Sequence, residues 1–215
     1  MNPQKSILYK YAELLASCTR ARLTGTRGAD EIFNLQIMDC VPSVEFLPEK
    51  GIVADVGSGG GLPGIVYAVF RPDLKITLID SINKKCEAVR EIIENLEIKN
   101  IKIICSRSED FAKNNREKFD FVCARALASA GVTAELLSPL VKVGGHILTF
   151  KGEKVHDEIS EVNNQWQKLG LKKPEIKFYG GEDSFKCMLI WKKISACPKE
   201  FPRRTGLAGT KKFWE

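Results

Sequence analysis

The sequence predicts an α/β protein with a mostly parallel seven-stranded sheet, an antiparallel C-terminal hairpin and helices before the first strand. From residue 52 onward, short apolar runs alternate with amphipathic stretches. This alternation is typical of strands and helices that follow one another along a parallel sheet. Near the C-terminus, two extended runs are separated only by GEDS, which indicates a hairpin because no helix fits between them.

The first 47 residues are predicted to form a helical extension. Apolar residues recur there at helical spacing in two segments, with LTGTRG as a loop between them. Residues 3–22 carry Ile7, Leu8, Tyr11, Leu14, Leu15 and Cys18, and residues 31–40 carry Ile32, Phe33, Leu35 and Ile37. We expect the α/β domain at residues 48–196 and a basic tail at residues 197–215.

Five apolar runs are predicted as the parallel strands: IVADV, KITLID, IKIIC, FDFVCAR and GHILTF. The amphipathic stretches between and after them include KKCEAVREIIENL, ASAGVTAELLSPL and EKVHDEISEVNNQWQKL, which we predict as helices. The runs EIKFYG and FKCMLIWKKI are predicted to pair as the antiparallel hairpin at one edge of the sheet.

Composition favours a cytoplasmic protein without a membrane segment or a metal. The N-terminus has no apolar signal-peptide core, and no apolar run approaches the roughly 18 residues that a membrane span needs. The seven cysteines are odd in number and lack C-x-x-C spacing, so we expect mostly buried, reduced thiols. His146 and His156 have no acidic or cysteine partner at ligand spacing, and we therefore expect no metal.

The net charge of +6 is concentrated at the two ends of the chain. Residues 1–30 hold five Lys or Arg against two acidic residues, and residues 197–215 hold the same numbers, so each end contributes +3. Basic flanks on a neutral domain fit a polyanionic partner such as RNA. Solvated termini that keep the protein soluble explain the same charges equally well.

The segment VADVGSGGGLPGI, residues 53–65, predicts a nucleoside-binding turn between a strand and a helix. Glycines let a ligand approach the backbone, and N–H groups at such a helix start are expected to point outward. Two motifs overlap there: Gly59-x-Gly61-x-x-Gly64 of dinucleotide sites, and Asp55-x-Gly57-x-Gly59-x-Gly61 of class I S-adenosylmethionine methyltransferases. A carboxylate at Asp55 repels a pyrophosphate and attracts an ammonium and a sulfonium, which favours S-adenosylmethionine.

Further polar residues follow the next two predicted strands. Asp80 ends KITLID, where its carboxylate can accept hydrogen bonds from both ribose hydroxyls. Ser108 and Glu109 follow the third strand at the place where an adenine ring would reach, although an ordinary helix start explains that pair as well.

At this point the sequence resembles the ribosomal small-subunit methyltransferase G family, also called glucose-inhibited division protein B. The resemblance runs from about residue 22 to the C-terminus, through DVGSGGGLPGI, SRSEDF, ARA and FPRRTGLAGTKK. It departs from the expected pattern at Arg22 and Gln36. The resemblance implies a Rossmann-like fold and methylation of guanosine N7 in 16S ribosomal RNA, with S-adenosylhomocysteine as the product. It also implies cofactor contacts at Gly57, Leu62, Ser108, Glu109 and Arg125.

The sequence lacks the residues that other methyl acceptors require. Neither an Asn-Pro-Pro-aromatic loop nor a Pro-Cys pair occurs, whereas guanine N7 has an in-plane lone pair and needs no general base. Arg125 ends the fourth strand and can hold either the methionine carboxylate or an RNA phosphate. Lys151 ends the fifth strand. Three roles are open for it: contact with the RNA backbone, contact with the O6 and N7 edge of guanine, or simple solvation.

The tail KEFPRRTGLAGTKKFWE places basic pairs between aromatic residues. We expect some aromatics to pack on the domain while Arg203, Arg204, Lys211 and Lys212 face ribosomal RNA, either free or in an assembled small subunit. Two alternatives from other classes stay open. One is a methyltransferase for a small molecule or a protein, and the other is a non-catalytic RNA-binding protein that retains the fold.

Overall fold

A computed structural model describes residues 3–181 and 184–215. The chain divides into two compact units, Met1–Ser106 and Arg107–Glu215. Seven strands form one mixed sheet, as predicted. Within the described residues, no helix is both long and apolar enough to cross a membrane.

The first unit contains three parallel strands in the order β3-β2-β1. Its strands are β1 (Ile52–Val56), β2 (Lys75–Asp80) and β3 (Ile101–Cys105), and its helices are α1 (Pro3–Ser17), α2 (Ala29–Ile32), α3 (Met38–Cys40), α4 (Gly64–Phe70) and α5 (Asn83–Asn95). Four of the five β1 residues and five of the six β2 residues are buried, which explains their nearly continuous apolar sequence. All three strands have the predicted bounds.

The N-terminal helices differ in detail from the prediction. Helix α1 ends at Ser17 and buries Leu8, Tyr11 and Leu15, while Ile7 is exposed. A π-helix spans Phe33–Ile37 between α2 and α3, and a 3₁₀-helix at Val41–Phe46 follows. The wider π turn shifts the register of the apolar stripe, which explains why Leu35 is 55% exposed although helical periodicity predicted burial.

The second unit has the strand order β4-β5-β7-β6, in which β4 and β5 are parallel and the remaining pairs are antiparallel. Its strands are β4 (Phe119–Arg125), β5 (Val141–Lys151), β6 (Glu175–Phe178) and β7 (Cys187–Lys192), and its helices are α6 (Ser108–Asn114), α7 (Ala130–Leu137), α8 (Val155–Glu161) and α9 (Leu207–Thr210). The predicted hairpin is therefore confirmed, although its GEDS connection lies partly outside the described residues.

One predicted helix is broken, and the tail, for which no helix is predicted, is partly helical. Asn163 and Asn164 have φ of 48° and 58°, so α8 stops at Glu161 and a 3₁₀-helix begins at Gln165. The tail holds α9 and buries Phe201 and Phe213, whose rings meet edge to face at 5.9 Å between centroids. The tail is thus a packed segment of the second unit.

All seven cysteines are free thiols, as predicted. Five are buried and Cys18 is intermediate, but Cys105 is exposed. Strand alternation puts Cys105 on the same face as the buried Ile101 and Ile103, so its exposure follows from its place as the last residue of β3.

Candidate functional site

The glycine segment forms a closed turn between β1 and α4. Gly57, Gly59 and Gly61 have φ of 71°, 55° and 102°, a region that side-chain-bearing residues rarely adopt. The N–H groups of Gly57 and Ser58 both donate to the Ile79 carbonyl, at 2.8 and 3.1 Å. The Gly61 N–H donates to the Ser58 carbonyl at 2.7 Å. The strands and the turn itself therefore hold this backbone in one shape.

The expectation that these N–H groups point outward is wrong for most of the turn. Donors to partners within the first unit are the N–H groups of Gly57, Ser58, Gly59, Gly61, Leu62 and Gly64. The glycines therefore contribute a left-handed backbone conformation and room for a ligand to approach the backbone closely. A ligand here would meet the surface of a turn in which most of the N–H groups are already engaged.

The glycines differ in what surrounds them. A Cβ at Gly64 would lie 2.2 Å from Leu78 Cδ2, and one at Gly61 would lie 2.6 Å from Ile65 Cδ1, so packing requires glycine at both positions. A Cβ at Gly59 would meet nothing closer than the Gly57 carbonyl at 4.0 Å. Gly59 therefore presents an open face on which a ligand can rest.

Two carboxylates hold this turn in place. Asp55 is fully buried, and its Oδ2 accepts the Gly64 N–H at 2.9 Å. Asp80 accepts the Gly59 N–H at Oδ2 and the Ile82 N–H at Oδ1, both at 2.9 Å. A carboxylate offers about four lone-pair positions, so Asp80 retains acceptor capacity for ribose hydroxyls. Each aspartate thus has a structural role that the sequence motif alone does not reveal.

A buried hydroxyl in the turn lacks a partner. Ser58 is 3% exposed, and its Oγ has no hydrogen-bond partner within residues 3–181 and 184–215. A buried polar atom without a partner is costly, which makes it a candidate for contact with a polar ligand. Leu62, between Gly61 and Gly64, is 8% exposed. The first unit therefore brings together the turn, Asp80 and an available hydroxyl.

In the second unit, Ser108 and Glu109 begin α6. The Ser108 hydroxyl donates to Glu109 Oε2 at 3.0 Å. Glu109 is 9% exposed, and its Oε1 accepts the N–H of Gly206 in the tail, also at 3.0 Å. Glu109 thus connects the start of α6 to the tail, a role that sequence reasoning missed because the two residues are 97 positions apart.

Arg125 ends β4, as predicted, and is half-buried. Lys151 ends β5, but the expectation of a solvated or RNA-facing side chain does not fit its surroundings. Its Nζ lies 2.6 Å from both Glu158 Oε2 and the Ala128 carbonyl, and its side chain is only 8% exposed. Glu158 also accepts the N–H of Ala130 at the start of α7. Lys151 therefore connects β5 to α7 and α8 within the second unit.

The four tail cations are not equivalent. Arg203 donates from Nε and Nη2 to the two oxygens of Glu135, at 2.9 and 2.7 Å, and Glu135 is fully buried. This hydrogen bonding raises the pKa of Arg203. Arg204 and Lys211 are exposed, while Lys212 lies with its Nζ 5.8 Å from the centre of the Trp214 ring. The expectation that all four face RNA therefore requires correction at Arg203.

Within the described parts of the chain, no group of three or more His, Cys, Asp or Glu is arranged to hold a metal ion. His146 lies on β5, where burial lowers its pKa. The ring of His156 on α8 lies 6.3 Å from that of Phe178, centroid to centroid.

Comparisons with known proteins give consistent results. The family model described as rRNA small subunit methyltransferase G matches residues 4–186. The ribosomal RNA small subunit methyltransferase G of Petrotoga mobilis is 40% identical over 211 residues, which cover 95% of this chain and 92% of that relative. Its counterpart in a Thermotoga species is 35% identical over 209 residues, covering 95% of this chain and 90% of that relative.

A solved structure supports the fold class. The crystal structure of an rRNA methylase from Streptococcus thermophilus matches with a TM-score of 0.53 at 15% identity, covering 74% of this chain and 95% of that one. At this identity the likeness concerns the fold alone. Together with the seven-stranded mixed sheet, it confirms the predicted class I methyltransferase fold.

Proposed function

Because the chain belongs to the rRNA small subunit methyltransferase G family, we propose that it methylates guanosine N7 in small-subunit ribosomal RNA with S-adenosylmethionine as donor. The observation that carries the donor site is the turn around Gly59, which has an open face and is preceded by Ser58, whose buried hydroxyl has no partner among the described residues. Such a surface accommodates a nucleoside and its polar groups at close range.

Residues of the first unit fit the cofactor as follows. Asp80 accepts the ribose hydroxyls on its remaining lone pairs, and Ser58 offers its hydroxyl to a polar group of the donor. Asp55 acts indirectly, because its carboxylate accepts a hydrogen bond from the Gly64 N–H and so stabilises the shape of the turn. The glycine motif adds Gly61 as a proposed cofactor contact, and the resemblance adds Gly57, Leu62, Ser108, Glu109 and Arg125.

The proposed chemistry asks little of the protein's acids and bases. The bound donor supplies an electrophilic methyl group on a sulfonium. The N7 lone pair lies in the plane of guanine and gives up no proton on attack, so the protein's task is alignment and exclusion of competing nucleophiles. No side chain needs to act as a general base. Arg125 is proposed to align either the methionine carboxylate or an RNA phosphate.

For the RNA, we propose that the tail cations Arg204, Lys211 and Lys212 contact phosphates. Arg204 and Lys211 are exposed, and Lys212 is partly exposed. Lys151 and Arg203 are left out of this set because each is engaged in an ion pair with little solvent exposure. In this proposal, residues 197–215 bind RNA, residues 48–196 carry out the methyl transfer, and residues 1–47 support the methyltransferase domain. A cytoplasmic location fits a ribosomal substrate.

A methyl-transfer assay with labelled donor tests this function. Small subunits and naked 16S RNA, both unmodified, are incubated with the protein, and the product nucleosides are then identified. We expect 7-methylguanosine on at least one of the two RNA substrates. Label on another nucleoside, on protein alone or on a small molecule would reject the proposed activity, and RNA binding without donor binding would favour the non-catalytic alternative.

The triple variant Arg204→Ala, Lys211→Ala, Lys212→Ala tests the RNA contacts. Its log-log salt slope for RNA binding should become shallower by about 0.7 for each phosphate of single-stranded RNA that the variant no longer neutralises. A triple alanine variant at the exposed residues Lys99, Lys172 and Lys173 is the matched control, because it removes the same charge elsewhere. Equal slopes in the two variants would remove the tail from the RNA interface.

A further inference from the structure

We infer that Tyr11, on the first helix, is a positioning residue that fixes the glycine turn in its cofactor-binding shape. Its side chain is fully buried, and its hydroxyl donates to the Gly60 carbonyl at 2.7 Å. This hydrogen bond joins residues 49 positions apart. The inference rests on the proposed function for the identity of the ligand, whereas the hydrogen bond itself lies within the first unit.

The turn is held from three directions, and α1 supplies the third. Asp80 at the end of β2 holds Gly59, and Asp55 on β1 holds Gly64. Between these two points lies Gly60, whose carbonyl is held by Tyr11. Removing the Tyr11 hydroxyl takes away the side-chain donor that fixes this middle part of the turn.

Packing around the turn supports the same role. A Cβ at Gly60 would lie 3.0 Å from the Leu23 carbonyl and 3.2 Å from Leu15 Cδ2, so the N-terminal segment fills the space behind this residue. A Cβ at Gly61 would lie 3.3 Å from the Tyr11 hydroxyl. Helix α1 therefore closes the inner side of the turn, while Gly59 keeps its open face.

The consequence for binding follows from preorganisation. The apparent dissociation constant of a ligand that needs one backbone shape is the intrinsic constant divided by the fraction of molecules that have that shape. A buried hydrogen bond contributes enough to change the equilibrium constant between two backbone shapes by about three- to tenfold, and this factor is the upper limit of its effect on affinity. We therefore expect the Tyr11 hydroxyl to affect cofactor affinity although it need not touch the cofactor.

Tyr11→Phe tests the inference, because it removes the hydroxyl and keeps the ring. Tyr67→Phe is the matched control: Tyr67 is equally buried in the same unit, and its hydroxyl pairs with that of Ser43 at 2.8 Å. Two quantities are measured in each variant. One is amide hydrogen exchange in residues 57–64 without ligand, and the other is the dissociation constant of S-adenosylhomocysteine by calorimetry.

We expect Tyr11→Phe to speed exchange in residues 57–64 and to raise the dissociation constant by up to about three- to tenfold, with Tyr67→Phe within twofold of the parent on both. Unchanged exchange, an equal effect of Tyr67→Phe, or faster exchange with parental affinity would each overturn the inference. If the parent itself fails to bind S-adenosylhomocysteine, the proposed function falls and hydrogen exchange alone decides whether Tyr11 positions the turn.

Discussion

Replacing Arg203 by alanine is expected to destabilise the protein by about 3 kcal/mol, near the lower end of the range for removing one partner of a buried ion pair. Glu135 has no solvent exposure and accepts three hydrogen bonds from Arg203: from Nη2 at 2.7 Å, from Nε at 2.9 Å and from the backbone N–H at 3.2 Å. The alanine variant keeps only the backbone donor. Because the Arg203 side chain is 17% exposed, water can reach part of the vacated space, which places the cost low in the range.

Urea unfolding measures this cost, with the midpoint and the slope reported separately. Arg204→Ala is the control, since Arg204 is an exposed neighbour, and its free energy of unfolding should stay within about 0.5 kcal/mol of the parent. Adding Glu135→Gln to Arg203→Ala removes the buried charge and should recover part of the stability. Arg203→Lys should fall between the parent and the alanine variant, because an ammonium cannot reproduce the two-pronged geometry.

Equal free energies of unfolding for Arg203→Ala and Arg204→Ala would refute the reasoning, because the pair with Glu135 would then contribute nothing. The outcome also decides how tail variants are interpreted. If Arg203 stabilises the second unit, replacing all four tail cations together would mix a folding defect with weaker RNA binding.

Two further predictions concern the glycine turn and a buried lysine. Gly64→Ala should lower the free energy of unfolding by about 1 to 3 kcal/mol, because its Cβ would lie 2.2 Å from Leu78 Cδ2. Gly59→Ala should lower it only by the roughly 1 to 2 kcal/mol that a left-handed backbone costs alanine, and its main effect should be weaker binding of S-adenosylhomocysteine. Calorimetry measures the binding and urea unfolding the stability of both variants. The same ratio of lost affinity to lost stability in the two variants would contradict the prediction. Burial lowers the pKa of Lys193 to about 8, so the unfolded state binds more protons above that pH. Stability of the parent relative to Lys193→Met should therefore rise by about 1.5 kcal/mol between pH 8 and 9.5, and a pH-independent difference would be inconsistent with a neutralised lysine.

The parts of the fold that sequence could predict are those set by local pattern. The bounds of β1, β2 and β3 follow from continuous apolar runs, and the turn after β1 follows from its glycines. Helix breaks are harder to predict. The left-handed pair Asn163 and Asn164 ends α8 within a stretch whose apolar spacing continues past it, because periodicity reports a buried face and not the backbone angle of a single residue.

The roles of individual polar groups depend on contacts between distant residues, and sequence pattern does not record these. Helical spacing places Tyr11 on a buried face of α1 but cannot show that its hydroxyl reaches Gly60. The pattern also places Lys151 correctly at the end of a strand, yet its partner Glu158 lies on the next helix. Each chemical role depends on the atom on the other side of the contact.

The tail shows that counting charges along the sequence does not identify which cations are available to bind RNA. Counting charges gives residues 197–215 an excess of +3, but the charge of Arg203 is balanced by Glu135, outside that segment. The same ion pair, with the buried rings of Phe201 and Phe213, anchors the tail to the second unit. An anchored segment loses less conformational freedom when it binds than a free one does, so its remaining cations bind phosphates at a smaller entropic cost. Arg203 is not part of the proposed RNA interface, but by anchoring the tail it helps to present Arg204, Lys211 and Lys212 to the RNA.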